Sequence, residues 1–263
     1  MHYSKVKREK QGPCNLCRKE AGLTWDHVPP QGGIELSSME MRTILETLSG
    51  DPEKDKYRIT QNGVKYRTLC KACNEWLGQE LDPVLNKFAN DVALLVRSPL
   101  HLPPILEVET KPHRLIRAIL GHLVAAKSEL DDVVFDQQVR NYIFDQSAPL
   151  PEEISIFYWI YPYPIQVVVR DVGMPSTRGN YSDFMFCQIL KYFPVAYMVS
   201  TADEYEGLAK LTQYRDAKLD EIMRLPIGLR NVPNQHWPEA PDKGNLLFGG
   251  QAMESSVIGS PRA

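Results

Sequence analysis

Two Cys-x-x-Cys pairs, Cys14/Cys17 in CNLC and Cys70/Cys73 in CKAC, constrain the fold of this chain more than any other feature. Two residues between cysteines let both sulfurs of one tight turn reach the same ion, and two such pairs complete a tetrahedral Zn²⁺ site. The site pins together two segments far apart in sequence. It is saturated, so its ion is structural and takes no substrate. Thiol usage agrees. The N-terminus is charged and no apolar signal segment follows it. The expected location is therefore the reducing cytoplasm, where paired cysteines point to metal before disulfides. The fifth, Cys187 in FMFCQILKYF, reads as a buried, inert thiol. No apolar run reaches the 18 or so residues of a membrane span.

Other residues around the cysteines carry chemistry. Asp26-His27 opens DHVPPQGG between the two pairs, and Asn74 follows the fourth cysteine directly. A neutral imidazole can accept a proton from water near pH 7, and a carboxylate is a hard ligand for a divalent cation. The order CNLC, DHVPPQGG, TLCKACN resembles the HNH (ββα-metal) endonuclease family in its zinc-stapled form, over residues 14 to about 90, roughly a third of the chain. The resemblance implies metal-dependent hydrolysis of DNA phosphodiester bonds, with double-stranded DNA as the usual substrate, as in bacterial restriction or phage defence. His27 would be the general base, and Asp26 and Asn74 would hold a catalytic Mg²⁺ or Mn²⁺. The family's middle Asn, a few residues before the third cysteine, has no counterpart here, where the stretch reads VKYRTLC. Arg67 or Tyr66 stands in its place, and Arg67 is a candidate phosphate contact. The alternative reading is a non-catalytic zinc module that binds nucleic acid or a partner protein. In that reading Asp26 and His27 stabilise a turn and Asn74 is an ordinary helix cap.

Net charge is only −3, so any nucleic-acid affinity has to be local. The N-terminal arm offers Lys5, Lys7, Arg8 and Lys10 against Glu9. The expected fold class is α+β: a small zinc-bound ββα, treble-clef-like domain over residues 1–97, then a proline-rich linker over 98–112. A mixed helix and antiparallel-strand domain over 113–230 follows, suited to targeting, homo-oligomerisation or regulation, and an extended tail over 231–263, docked through Leu246, Leu247 and Phe248. Helices are expected over 37–50, from Asn74 onward with a wobble at Gly78 and Pro83, and over 113–130, 131–146 and 202–225. A hairpin turning at Asn62-Gly63 is expected over 57–70, and strands over 154–172 and 184–200. The aromatic run FYWIYPYP suits a sheet core better than a base-stacking platform, and Trp76 should pack beneath the zinc site. His113 and His122, nine residues apart, fall on opposite faces of a helix and do not suggest a second metal site. His101 and His236 read as solvated.

Overall fold

A computed structural model describes residues 6–33, 37–44, 47, 57–175, 184–230, 232, 235–239, 248–249 and 251–262. The N-terminal part is a three-stranded sheet, β1 (Gln11–Pro13), β2 (Glu20–His27) and β5 (Lys65–Cys70), in the order β1-β2-β5. Helix α1 (Lys71–Glu80) leaves β5 directly. β2 and β5 are antiparallel, with Trp25 opposite Arg67, Asp26 opposite Tyr66 and His27 opposite Lys65; the register shifts between Thr24 and Trp25. Side chains of a strand alternate between faces. Asp26 and Tyr66 therefore turn inward, and Trp25, His27, Lys65 and Arg67 turn outward or lie half-buried. After α1 the chain bends at Leu81, where Asp82-Pro83 starts α2 (Asp82–Val96); proline suits a helix's first turn and explains the break.

The rest of the chain is organised by a nine-stranded antiparallel sheet. It comprises β3 (Met39–Thr43), β4 (Arg58–Thr60), β7 (Ser155–Ile160), β8 (Gln166–Pro175), β9 (Phe184–Tyr192), β10 (Val195–Ser200), β11 (Ala209–Lys210), β13 (Phe248–Gly249) and β14 (Val257–Pro261). The path runs β11-β7-β10-β9-β8-β14-β3-β4, with β13 on β8. β7 and β10 are buried at every position, because the sheet has a core on each face. On one face Ile156, Tyr158, Ile160, Leu190 and Tyr197 pack with the helices. On the other, Phe157, Trp159, Ile189 and Met198 pack under Tyr205, Trp237 and Met253. The aromatic run is thus sheet core. Cys187 lies in the second layer, its thiol pushed up to about 12 by burial and by Glu239.

Helix α3 (Pro112–Ala125) is buried along its whole length except at Arg114 and joins the two parts. At Gly121 it approaches α1 so closely that a Cβ would stand 2.9 Å from Leu77 Cδ1. A single buried cluster includes Cys14, Leu16, Leu69 and Leu77 from the first part and Ile116, Leu120, Tyr158 and Leu190 from the second. Helix α4 (Val134–Phe144) packs beside α3 and sets Phe144 5.1 Å from Trp76, so that indole packs against α4. Asp136 on α4 is sandwiched between two buried cations, Arg170 Nη2 at 2.8 Å and Lys127 Nζ at 2.6 Å.

Several elements differ from the sequence expectations. Residues 39–43 form a strand instead of the start of a helix, because Met39, Met41 and Thr43 alternate inward against β14. Leu45, Leu48 and Gly50 lie outside the described residues. The segments flanking Asn62-Gly63 do not pair with each other: β4 pairs with β3, and β5 with β2. The turn is real, with φ of 64° at Asn62 and 86° at Gly63, but it passes the chain between two sheets. The proline-rich stretch 98–112 holds strand β6 (Ile105–Thr110), which pairs with β12 (Met223–Gly228). Residues 202–225 contain no α-helix among those described. They contain β11, a 3₁₀ turn at Leu211–Tyr214 and the start of β12. In the tail, β14 inserts between β8 and β3 inside the large sheet; Leu246 and Leu247 lie outside the described residues. Among the described residues no helix is long and apolar enough to cross a membrane.

Candidate functional site

The four cysteines converge. One Sγ from each of Cys14, Cys17, Cys70 and Cys73 lies within 4.8 Å of the others, close enough to hold one metal ion. The Cys17 and Cys70 sulfurs are 3.9 Å apart, close to the roughly 3.8 Å edge of a tetrahedron with Zn–S bonds of about 2.3 Å. The first pair sits in a turn closed by Arg18, whose φ of 61° brings its N–H 2.8 Å from the Cys14 carbonyl. The second pair spans the end of β5 and the first turn of α1. Asn15, between Cys14 and Leu16, ties the knuckle to α3: its Nδ2 donates to the Val124 and Lys127 carbonyls at 2.8 and 2.6 Å. Val124 is in the last turn of α3 and Lys127 just beyond it, so these bonds hold the knuckle against the end of that helix.

His27 is the last residue of β2 and is half-buried. Gln31, in the single 3₁₀ turn Gln31–Gly33, reaches back so that its Nε2 lies 3.0 Å from His27 Nε2. The amide N–H donates there, so the ring's own proton sits on Nδ1. The Asn62 backbone favours the charged ring. Burial, and after it the Lys65 ammonium, hold the His27 pKa down to about 4, against the pull of that backbone contact. The imidazole is therefore neutral at pH 7. Neither Gln31 nor Asn62 was picked out as a site residue from sequence; the DHVPPQGG run and the Asn-Gly turn were the available signals.

Asp26 points the other way. Its carboxylate is 6 % exposed, and its Oδ2 lies 3.7 Å from Nδ1 of the fully buried His122 on α3. That is near enough for an ion pair but too long for a hydrogen bond. Nε2 of the same ring is 2.8 Å from Asp82 Oδ1 at the start of α2. Desolvation pushes the Asp26 carboxyl up, partly countered by His122. At His122 burial opposes charge, but Asp82 and Asp26 together outweigh it and raise the pKa to about 10. The sequence contains no local signal for this trio, since it joins three distant segments.

Asn74 lies in the first turn of α1, and its Nδ2 donates to Thr24 Oγ1 at 3.0 Å and to the Trp25 carbonyl at 2.9 Å. It therefore clamps the irregularity in β2 immediately before Asp26, and Cys70 occupies the N-cap position. Asn74→Ala removes both bonds; the expected cost is about 1–2 kcal/mol, measured by urea unfolding of the zinc-loaded protein. An unchanged midpoint would show that the clamp contributes nothing.

The basic candidates divide. Lys7 and Lys10 are exposed, and Lys5 lies outside the described residues. Arg8 is committed to structure: its guanidinium donates to the Ser128, Pro13, Lys127 and Glu129 carbonyls. Arg67 donates to the Arg8 carbonyl and lies 5.4 Å from the ring centre of Trp25, which is 41 % exposed. Arg58 flanks the same indole at 6.0 Å. The outward face of β2 and β5 thus presents an aromatic ring with cations around it, continuous with His27 and Lys65. Comparison with protein-family models, with curated proteins and with solved structures finds no match for this chain.

Proposed function

We propose that the chain is a metal-dependent endonuclease of HNH type, with His27 as general base. The observation that carries the reading is the geometry at His27, whose Nε2 faces the Gln31 amide nitrogen at 3.0 Å beside an exposed cationic and aromatic face, on a ring that burial and Lys65 keep neutral. The lone pair on Nε2 takes a proton from water once Gln31 yields its place. The Asn62 backbone, which favours the charged ring, would steady the imidazolium that forms. Trp25, Arg58, Lys65 and Arg67 would bind phosphate and sugar along the outward face.

Asp26 Oδ2 is buried and makes no hydrogen bond, its nearest cation being the His122 ring 3.7 Å away, so a divalent ion at Asp26 would take the place of that ion pair. Asp26 would hold it, and Asn74, whose amide nitrogen is bonded to Thr24 and Trp25, would add its amide oxygen. When bound, the ion supplies positive charge to the non-bridging and leaving oxygens of the phosphate. Asp26 and His27 face opposite sides of β2, so the scissile phosphate has to sit at the strand's end, where the two faces meet.

Purified protein incubated with supercoiled plasmid and Mg²⁺ or Mn²⁺ is expected to nick it, and a chelator should stop the reaction. Absence of nicking with either ion, with zinc in place, overturns the reading. The burial of Asp26 favours a second reading, a zinc module that binds nucleic acid without cutting it. In both readings Arg58→Ala and Lys65→Ala should weaken DNA binding regardless of sequence. Each should reduce the slope of log K against log salt by about 1. Unchanged slopes remove this face as the contact surface.

A further inference from the structure

We propose that a cavity between β7 and β12 binds the extended C-terminal end of a polypeptide, whose backbone bridges the two strand edges and whose carboxylate meets Arg230. The inference concerns the second half of the chain and stands whether or not the protein cuts DNA. The cavity, of about 420 Å³, falls within the usual size of ligand pockets, about 300–1,000 Å³. Ile105, Val195, Leu208 and Ile227 give it apolar walls, and Ile105, 63 % exposed, is left for an apolar group to cover.

Two strand edges face each other across this cavity with unmet hydrogen bonds. Successive residues of a strand turn their N–H and C=O groups to alternate edges. The Tyr161 N–H, just past β7, donates to the Pro194 carbonyl at 2.8 Å, on the β10 side. Ile160 therefore points its own groups to the opposite edge, as does Ile156, whose N–H reaches Thr212 Oγ1 at 3.3 Å. β11 covers that edge only at Phe157 and Tyr158. The chain leading into β11 turns at Gly207, where φ is 79°. No described group bonds the Ile160 N–H or C=O, although the residue is only 5 % exposed. Buried backbone groups are almost always paired, so this edge is incomplete. On β12 the Leu229 N–H donates to the Pro104 carbonyl at 2.9 Å, on the β6 side. Gly228 therefore points toward β7, and its N–H and C=O also lack a described partner. Pro226 points the same way, and its carbonyl accepts from the Tyr158 hydroxyl at 2.9 Å.

An extended peptide bonds one side with one residue and the other side with the next, so it satisfies Ile160 and Gly228 together. There is room for it: a Cβ built on Gly207 or Gly228 meets no atom within 4 Å. Among the described residues lining the cavity Arg230 alone is charged, and it makes no ion pair or hydrogen bond with any described residue. A chain end brings a carboxylate to that guanidinium, whereas an internal segment brings none.

The test uses the full zinc-loaded chain and fluorescein-labelled tetrapeptides with free carboxylates, covering every pair of residues at the last two positions, read by fluorescence polarisation. Peptides with an apolar last residue are expected to bind. Amidating their C-terminus, or Arg230→Gln, should weaken binding about 10–100-fold, and the variant should bind free-acid and amide forms alike. Gly228→Leu fills the cavity from a position with open space around it. It should abolish binding while circular dichroism and zinc content stay unchanged. In the wild type, the amide protons of Ile160 and Gly228 should exchange more slowly with solvent once a peptide is bound. The proposal is overturned if no peptide binds, or if amidated peptides bind the wild type as the free acids do. It is also overturned if Gly228→Leu binds normally, or if exchange at Ile160 and Gly228 is unaltered. Octanoate that displaces the peptides at equal concentration would overturn it too, since octanoate has the carboxylate and the apolar body without the amides.

Discussion

Stripping the zinc, or replacing one of its ligands by Cys73→Ser, is expected to unfold the chain as a whole and not only its first ninety or so residues. Structural Zn²⁺ contributes about 10–16 kcal/mol of apparent binding free energy in small modules. That matches or exceeds the roughly 5–15 kcal/mol by which a folded chain is usually stable. Three of the four cysteines, Cys14, Cys70 and Cys73, belong to the same buried cluster as Ile116, Leu120, Tyr158 and Leu190, so the site has no separate core that could melt alone. The Asn15 side chain, held in place by the knuckle, also supplies donors to the end of α3. Far-UV circular dichroism and tryptophan fluorescence should therefore fall together when a strong chelator is added. Cys187→Ser is the matched control. It buries a hydroxyl in place of a thiol on the far face of the sheet, should cost about 1–3 kcal/mol, and should leave one zinc per chain. Zinc loss without loss of cooperative folding, or Cys73→Ser that binds zinc as the wild type does, would contradict this account.

The cysteine site was legible because its signal is local: each pair declares its own turn, and four converging sulfurs can hold one ion. The strands over 155–160, 184–192 and 195–200 were legible for a related reason, since a sheet with a core on both faces needs predominantly apolar runs, here broken only by buried polar residues such as Gln188 and Lys191. Residues 37–50 mixed two periods. Met39 and Met41 alternate, while Ile44, Leu45 and Leu48 have helical spacing, and the choice was made by β14, more than two hundred residues downstream. The hairpin reading of 57–70 failed in the same way, because a turn reports where the chain reverses and not which partner each arm finds. His122 escaped because the argument from helix faces assumes one face in solvent. On α3 nearly every side is buried, so a histidine on any of them meets something. Asp26, His27 and Asn74 were visible as types and spacing, but their orientations were not. The bulge at Thr24–Trp25 and the clamp by Asn74 decide that Asp26 turns toward α3 while His27 turns toward Gln31.

His27→Ala is expected to lower the rate of DNA cleavage by about 10²–10⁴-fold, the usual contribution of a positioned general base, or about 3–5 kcal/mol of barrier. The ring is half-buried at a strand end, and its hydrogen-bond partner Gln31 is not part of the buried cluster. Zinc content should therefore stay at one per chain, and stability should change by about 1 kcal/mol or less. DNA affinity should hold as well, since Trp25, Arg58, Lys65 and Arg67 are untouched. The loss then belongs to the chemical step and not to binding. Added imidazole should restore part of the rate, because a small base can enter the space the side chain leaves; a purely structural role would give no such rescue. Gln31→Ala makes the complementary measurement. It frees Nε2 of His27 and should leave cleavage intact or faster if the amide merely occupies the water's place. A His27→Ala protein that cuts as fast as the wild type removes the base assignment outright. Equal DNA binding by both proteins with cleavage by neither would leave the non-catalytic zinc module as the correct reading, with the cationic face around Trp25 as its working surface.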